Sequence, residues 1–257
     1  MQIARKVFIT GASSGIGQAL ARQYATPGAI IGLAARRPEE LQLLAASLSC
    51  TAVCYPLDVT DAAALKLAGD DFIARFGPPD IVIANAGVSV GTLTEFAEDL
   101  AAIRRVMDVN LFGMAATFSP FMHAMRVAGA GRLVGIASVA GIRGLPGAEA
   151  YSASKAAAIA YLESLRLEMR GSGVKVVTIC PGYIATPMTA INPYRMPFLL
   201  PAPEAAQRFA RVIAQGKSYA VIPGQMGIVA KLLRLLPNVL YDRLFASAPR
   251  KPRNLSL

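Results

Sequence analysis

Short runs of consecutive apolar residues recur along the chain, separated by stretches in which apolar positions return every three or four residues. Uninterrupted runs of that length read as strands buried on both faces, and the periodic stretches read as helices that cover them. The strand candidates are residues 5–10, Ala29 to Ala35, Thr51 to Leu57, Ile81 to Ala84, Arg132 to Ala137, Val174 to Cys180 and Tyr219 to Ile222. Helical pattern falls at Gln18 to Tyr24, from Pro38 onward, over 61–76, over 98–127 with a break at Asn110, and from Tyr151 to about Arg170. The alternation predicts an α/β fold, a doubly wound sheet of seven mainly parallel strands with helices on both faces.

Composition narrows the picture. With 257 residues, 54 % of them hydrophobic, the chain is long enough for one large core. Strands buried on both faces account for a mean hydropathy of +0.45, and no apolar run reaches the roughly 18 residues of a membrane span. Met1 to Lys6 lead into an apolar run too short for a signal peptide, so the expected location is cytoplasmic. Cys50, Cys54 and Cys180 form no metal-ligand spacing and are odd in number, as in a reduced cytosolic protein. The single histidine, His123, rules out a histidine-based triad and most zinc sites, and no metal is expected. The net charge of +10 is partly local. Beyond Met226, Lys231, Arg234, Arg243, Arg250, Lys251 and Arg253 face Asp242 alone, which divides the chain into a catalytic unit at 1–225 and a basic amphipathic extension at 226–257 packed on it.

The first strand runs into Thr10-Gly11-Ala12-Ser13-Ser14-Gly15-Ile16-Gly17 and then into a helix. Such a turn brings backbone N–H groups and a positive helix end to one point, where a pyrophosphate can sit. Gly11 suits the tight turn, Gly15 close backbone approach, and Gly17 helix packing on the strand. The second strand ends in Ala35-Arg36-Arg37, with no acid to hold a ribose 2′-hydroxyl. Arg36 and Arg37 suit a 2′-phosphate and favour NADP(H) over NAD(H). Asp58-Val59 close the third strand, where the carboxylate suits an adenine amino group, and Asn85-Ala86-Gly87 close the fourth. Ser138 closes the fifth, on the rim where ligands bind in such sheets. On a helix, Tyr151 and Lys155 lie one turn apart on one face, a pairing in which the cation brings the phenol pKa down towards neutrality.

From residue 5 to about 225 the chain resembles the short-chain dehydrogenase/reductase family. The likeness rests on T-G-x-x-x-G-x-G at Thr10–Gly17, N-A-G at Asn85–Gly87, Asn110, Ser138, Y-x-x-x-K at Tyr151/Lys155 and P-G-x-I-x-T at Pro181–Thr186, all in family order. Ala84 replaces a second asparagine that many members carry before N-A-G. The resemblance implies a Rossmann-like fold and hydride transfer between a nicotinamide cofactor and a carbonyl or alcohol carbon. In that scheme Tyr151 is the general acid or base, Ser138 holds the substrate oxygen, Lys155 tunes Tyr151 and binds the nicotinamide ribose, and Asn110 holds a water that links Lys155 to solvent. Pro181, Gly182, Ile184 and Thr186 would join the cofactor contacts. Family members commonly form dimers or tetramers, and the small residues Ala153 to Ala160 suit close helix contact between subunits. A catalytically silent NADP-binding sensor or scaffold is the alternative.

The loop at about 183–203 carries Met188, Ile191, Tyr194, Met196, Phe198, Leu199 and Leu200. It suits closure over an apolar ketone, aldehyde or secondary alcohol, lipid-like included, and equally packing on the body or on a second subunit. The C-terminal extension suits three roles: peripheral contact with a membrane, a cover for the pocket, or a subunit contact. Nucleic acid is not an expected partner, because no aromatic platform accompanies the basic residues.

Overall fold

The computed structural model describes residues 5–253. Met1 to Ala4, read above as carrying no targeting signal, and residues 254–257 of the extension lie outside the described residues. The strands are β1 (Lys6–Thr10), β2 (Ile30–Ala35), β3 (Thr51–Pro56), β4 (Ile81–Ala84), β5 (Gly131–Ile136), β6 (Val174–Pro181), β7 (Ile184–Ala185), β8 (Leu200–Pro201) and β9 (Tyr219–Ile222). Seven of them form one sheet in the order β3-β2-β1-β4-β5-β6-β9, and every pairing in it is parallel. The small parallel ribbon β7-β8, inside the 183–203 loop, has no counterpart in the sequence pattern because each strand has only two residues.

Alternation along the strands builds two core layers. Val7 and Ile9, Ile31 and Leu33, Ile81 and Ile83, Val134 and Ile136, and Val177 and Ile179 point to one face. They pack there with Leu20 of α1 (Gly15–Tyr24), Leu41 of α2 (Pro38–Ala46) and Phe209 of α8 (Ala202–Gln215). Phe8, Val82, Leu133 and Val176 point to the other. They meet Phe72 of α3 (Ala62–Phe76), Phe121 of α5 (Gly113–Ala128) and Leu162 of α6 (Glu149–Glu168). Phe8 crosses Phe72 edge-on at 5.7 Å and lies 4.8 Å from Phe121. A Cβ at Gly32 on β2 would collide with Phe8, so the small residue there makes room for the ring.

The break expected at Asn110 is a change of helix type. α4 (Asp99–Met107) runs into a π-helical turn at Asp108–Phe112 and on into α5 without a loop. The wider turn leaves Asn110 fully buried. The extension folds as α9 (Gly224–Leu235) and α10 (Asn238–Phe245), parted at Pro237 as the sequence implies. Among the described residues no helix is long and apolar enough to cross a membrane.

Phe72 is fully buried at the centre of the aromatic cluster. Phe72→Ala is expected to cost about 3–5 kcal/mol in urea unfolding, whereas Leu43→Ala, on an exposed helix face, changes stability by less than about 0.5 kcal/mol.

Candidate active site

In the sheet order the chain steps outward from β1 in two directions, through β2 on one side and β4 on the other. Loops leaving the carboxyl ends of β1 and β4 therefore diverge and open a crevice. A cleft of about 410 Å³ occupies it. Its lining includes Gly11, Ser13, Ser14, Gly15, Ile16, Arg36, Arg37, Asp58, Val59, Asn85, Ala86, Gly87, Ser138, Tyr151, Lys155, Pro181, Gly182, Ile184 and Thr186. Residues from seven stretches of the chain thus meet at one rim.

Two expected residues stand behind the lining. A Cβ at Gly17 would collide with the Gly11 carbonyl oxygen, so Gly17 lets α1 sit against the turn that precedes it. Asn110 spends its amide on the scaffold: Oδ1 accepts from the Val88 N–H at 2.8 Å, and Nδ2 donates to the Val88 carbonyl at 3.0 Å and to Ser154 Oγ at 2.9 Å. Ser154 Oγ donates in turn to the Tyr151 carbonyl at 2.8 Å. The side chain of Asn110 is thus a brace between the segment after β4 and the helix that carries Tyr151.

The end of the cleft at the glycine turn is built from backbone. Gly11 has φ +67° and passes so close to Ala86 that a Cβ would not fit. Ser14 caps α1 without a side-chain bond, so the first-turn N–H groups remain available to an anion. Asn85 acts indirectly, because its Nδ2 donates to the carbonyls of Thr10 at 3.0 Å and Gly11 at 3.2 Å and so fixes the turn. Arg36 and Arg37 are exposed at the other end, Arg37 donating to Ser13 Oγ at 3.2 Å. Asp58 is not a free acceptor, because Arg105 Nη2 donates to it at 2.6 Å and the Thr60 N–H and hydroxyl each donate at 2.9 Å. Burial pushes the Asp58 carboxyl up, and these donors more than offset it, holding it below its ordinary range. Arg105 and Ser154 went unread in the sequence: Arg105 has no motif around it, and Ser154 stands inside the Tyr151/Lys155 motif at a position the pattern leaves open.

The chemical end is drier. Lys155 is buried and donates from Nζ to the Ile136 carbonyl at 2.9 Å. Its Nζ lies 5.8 Å from the centre of the Tyr151 ring. Burial drives the Lys155 pKa down to about 8, with the Cys180 thiol acting weakly the other way. Burial drives the Tyr151 phenol up, and the Ser138 side chain pulls it only part of the way back. The expected lowering of the phenol pKa by Lys155 is therefore not what this geometry gives: burial raises the phenol and lowers the ammonium, so the two pKa values move apart with the lysine the lower. Among the described residues no group of three metal-ligating side chains occurs.

The extension ties down the cleft mouth. Arg143 donates to the carbonyls of Leu233 and Leu236 and stacks 3.8 Å over the Tyr241 ring, whose hydroxyl donates to the Gly144 carbonyl at 2.6 Å. Past α10 the chain returns towards the 183–203 loop. Lys251 Nζ donates to the Met188 carbonyl at 3.3 Å, and the Gly91 N–H donates to the Pro252 carbonyl at 2.9 Å. Arg253 pairs with Asp99 at 2.8 Å and covers the Phe96 ring at 3.7 Å. Residues 251–253 thus join the segment after β4 to Met188, which itself lines the cleft.

Comparison with known proteins gives concordant findings. The sequence profile of the family described as short chain dehydrogenase matches residues 5–194. An uncharacterized oxidoreductase of Myxococcus xanthus (strain DK1622) is 39% identical over 241 residues, covering 93% of this chain and 95% of that protein. The 11-beta-hydroxysteroid dehydrogenase-like 3 of Arabidopsis thaliana is 34% identical over 248 residues, covering 92% and 78%. Among solved structures, a short chain dehydrogenase/reductase from Burkholderia phymatum in complex with NAD superposes with a TM-score of 0.79 at 25% identity, covering 99% of this chain and 98% of that one.

The depressed Lys155 pKa has a measurable thermodynamic consequence. Between about pH 8 and the unfolded value near 10.5 the folded protein has released this proton and the unfolded chain has not, so stability rises with pH across that window. The gain is expected to approach about 1.4 kcal/mol per pH unit in urea unfolding and to be missing from Lys155→Met.

Proposed function

The chain belongs to the short-chain dehydrogenase/reductase family, an oxidoreductase family of alcohol and carbonyl groups that uses a nicotinamide cofactor, and on that premise we propose an NADP(H)-dependent carbonyl reductase acting on apolar ketones, aldehydes or secondary alcohols. The observation that carries the reading is the meeting of Ser138, Tyr151 and Lys155 in the same cleft as the glycine turn Gly11–Ile16. A dinucleotide fits this donor set: free helix N–H groups for a pyrophosphate, a backbone cradle at Gly11 that no side chain could share, and a buried amine at the far end.

In the proposed reaction the nicotinamide supplies the hydride to the substrate carbon in reduction and accepts it in oxidation. The Ser138 hydroxyl donates a hydrogen bond to the substrate oxygen and orients it towards Tyr151. The Tyr151 hydroxyl gives its proton to that oxygen as the carbon is reduced, and the phenolate takes the proton back in oxidation. Lys155 completes the transfer. Because burial raises the phenol pKa and lowers the ammonium to about 8, a phenolate formed during reduction is reprotonated downhill by Lys155. Asn110 is a positioning residue that keeps Val88 and the start of α6 in register, beside its expected role in holding a relay water.

The choice of NADP(H) is supported by charge. Ala35 stands where an acid would hold a ribose hydroxyl, Arg36 and Arg37 are exposed at that end, and Arg105 neutralises Asp58. The NAD complex of the Burkholderia phymatum protein keeps NAD(H) as the competing reading. An apolar substrate is supported by the half-exposed Phe198 and Leu199 in the substrate loop and by the hydroxysteroid dehydrogenase-like name of the Arabidopsis relative. Residues 1–225 form the catalytic unit in this reading and 226–257 an extension that closes it. Assembly into a homodimer or homotetramer through α6 is supported by its outward Ala153, Ala156 and Ala160. A cytoplasmic protein with peripheral membrane contact completes the assignment.

Steady-state oxidation of NADPH and NADH with a panel of aromatic, steroid and long-chain carbonyls tests the proposal. Tyr151→Phe is expected to lower kcat at least about 1000-fold while NADPH still quenches or shifts protein fluorescence on binding. Arg36→Ala and Arg37→Ala are expected to raise KM for NADPH about 10- to 100-fold and to leave KM for NADH nearly unchanged. Turnover that survives in Tyr151→Phe would sink the assignment of the acid. NADPH binding without turnover of any carbonyl would favour the silent sensor.

A further inference from the structure

The last two helices are apolar on two sides. Their inner side carries Met226, Ala230 and Tyr241, all buried. It closes a cavity of about 220 Å³ whose opposite wall includes Val139, Ile142 and Tyr183. Val139 follows Ser138 and Tyr183 follows Gly182, so this cavity begins one residue beyond the cleft on two of its walls. No described residue covers their outer side. Ile228, Leu232 and Leu235 recur at helical spacing along α9 and are 65%, 61% and 80% exposed. Val239, Leu240 and Leu244 continue the exposed apolar surface on α10. Of the large apolar side chains exposed among the described residues, more lie between 228 and 244 than in any other stretch of that length.

Charge says what kind of surface fits. Lys231 and Arg234 border the Ile228-Leu232-Leu235 stripe, Arg243 and Arg250 follow, and Asp242 is the one acid from Gly224 to Arg253. All four cations are exposed, and none makes an ion pair among the described residues. The other two basic residues of the extension, Lys251 and Arg253, are turned inward to hold the chain across the cleft mouth. An apolar stripe edged by unpaired cations suits an interface that is hydrocarbon at its centre and anionic at its rim. A second copy of this chain would bring the same cations against themselves.

We propose that α9 and α10 form a docking face for an anionic lipid bilayer, which sets the cavity beneath these helices next to the membrane surface. Docking in this orientation delivers apolar substrates from the membrane to the cleft. The delivery half of the inference rests on the oxidoreductase reading, and the docking half does not.

Sedimentation with lipid vesicles separates the two. The full-length protein loaded with NADPH is mixed with vesicles of neutral phosphatidylcholine, or of phosphatidylcholine with about a third phosphatidylglycerol. Binding to the anionic vesicles at least about tenfold tighter than to the neutral ones, and weakening with salt, is the expected result. Lys231→Glu/Arg234→Glu and Leu232→Ser/Leu235→Ser are each expected to weaken it at least about tenfold. Neither pair lines the cleft or the cavity, so turnover of a water-soluble carbonyl should be unchanged in both, while turnover of a long-chain ketone held in the anionic vesicles should fall. Absence of vesicle binding, or equal binding by both variants and the parent, overturns the proposal. So does loss of a dimer in light scattering of Leu232→Ser/Leu235→Ser with vesicle binding intact, which would assign the face to a second copy. Binding as expected with no turnover of either carbonyl would leave the docking face standing and remove the delivery role with the reductase reading.

Discussion

The amide of Asn85 holds the centre of this structure. Its Nδ2 donates to the carbonyls of Thr10 and Gly11, joining the end of β4 to the end of β1 where the two following loops part. A parallel sheet bonds its strands along their length but leaves the loops beyond their carboxyl ends to find their own support. Here the Asn85 side chain supplies it together with the Thr10 hydroxyl, which accepts from the Asn85 N–H at 3.2 Å. The turn so fixed presents Gly11 and the first turn of α1, while Ala86 and Gly87 follow Asn85 along the cleft floor. Asn110 makes the corresponding brace on the other side, joining Val88 to Ser154 and hence to the backbone of Tyr151. Two amides, Asn85 half-buried and Asn110 fully buried, thus brace the two sides of the cleft, and each works by satisfying backbone groups that would otherwise be stranded.

Burial then sets the proton chemistry. Taking Tyr151 and Lys155 out of water favours the neutral form of both, so the phenol rises and the ammonium falls. A surface tyrosine and lysine would stay ordered the other way round in practice, each near its ordinary value and each solvated. In the cleft that order is reversed, with the ammonium below the phenol. The energetic cost of holding a cation beside the Ile136 carbonyl in a dry site is a cost to folding, and it is the kind that active sites retain.

The extension beyond β9 serves the same end from outside. Arg143 and Tyr241 fasten α9 and α10 to the loop after β5, and Lys251 to Arg253 fasten the chain across to the segment after β4. Of the three roles the sequence allows for these residues, a cover over the site is the one the intramolecular contacts express. The covering contacts use the inner faces of the helices and the inward cations, which leaves the outer stripe and the outward cations to make contacts elsewhere.

Much of this was legible in the chain. Apolar runs of strand length, split by helical spacing, determined the order of strands and helices, since a two-sided sheet needs continuous apolar segments and its covering helices need a stripe. The glycine turn, Ser138 and the Tyr151/Lys155 pair could be read because each requires a residue type at a spacing fixed by local backbone geometry. What lay beyond reading came from contacts between distant segments. Nothing near Arg105 marks it as the partner of Asp58, 47 positions away, and nothing near Asn110 marks its amide as a brace or its helix as π-helical rather than broken. The pKa order of Tyr151 and Lys155 was beyond the sequence for the same reason. Spacing on a helix determines that the two side chains are neighbours, but desolvation depends on everything else that closes around them, and only the tertiary structure decides that.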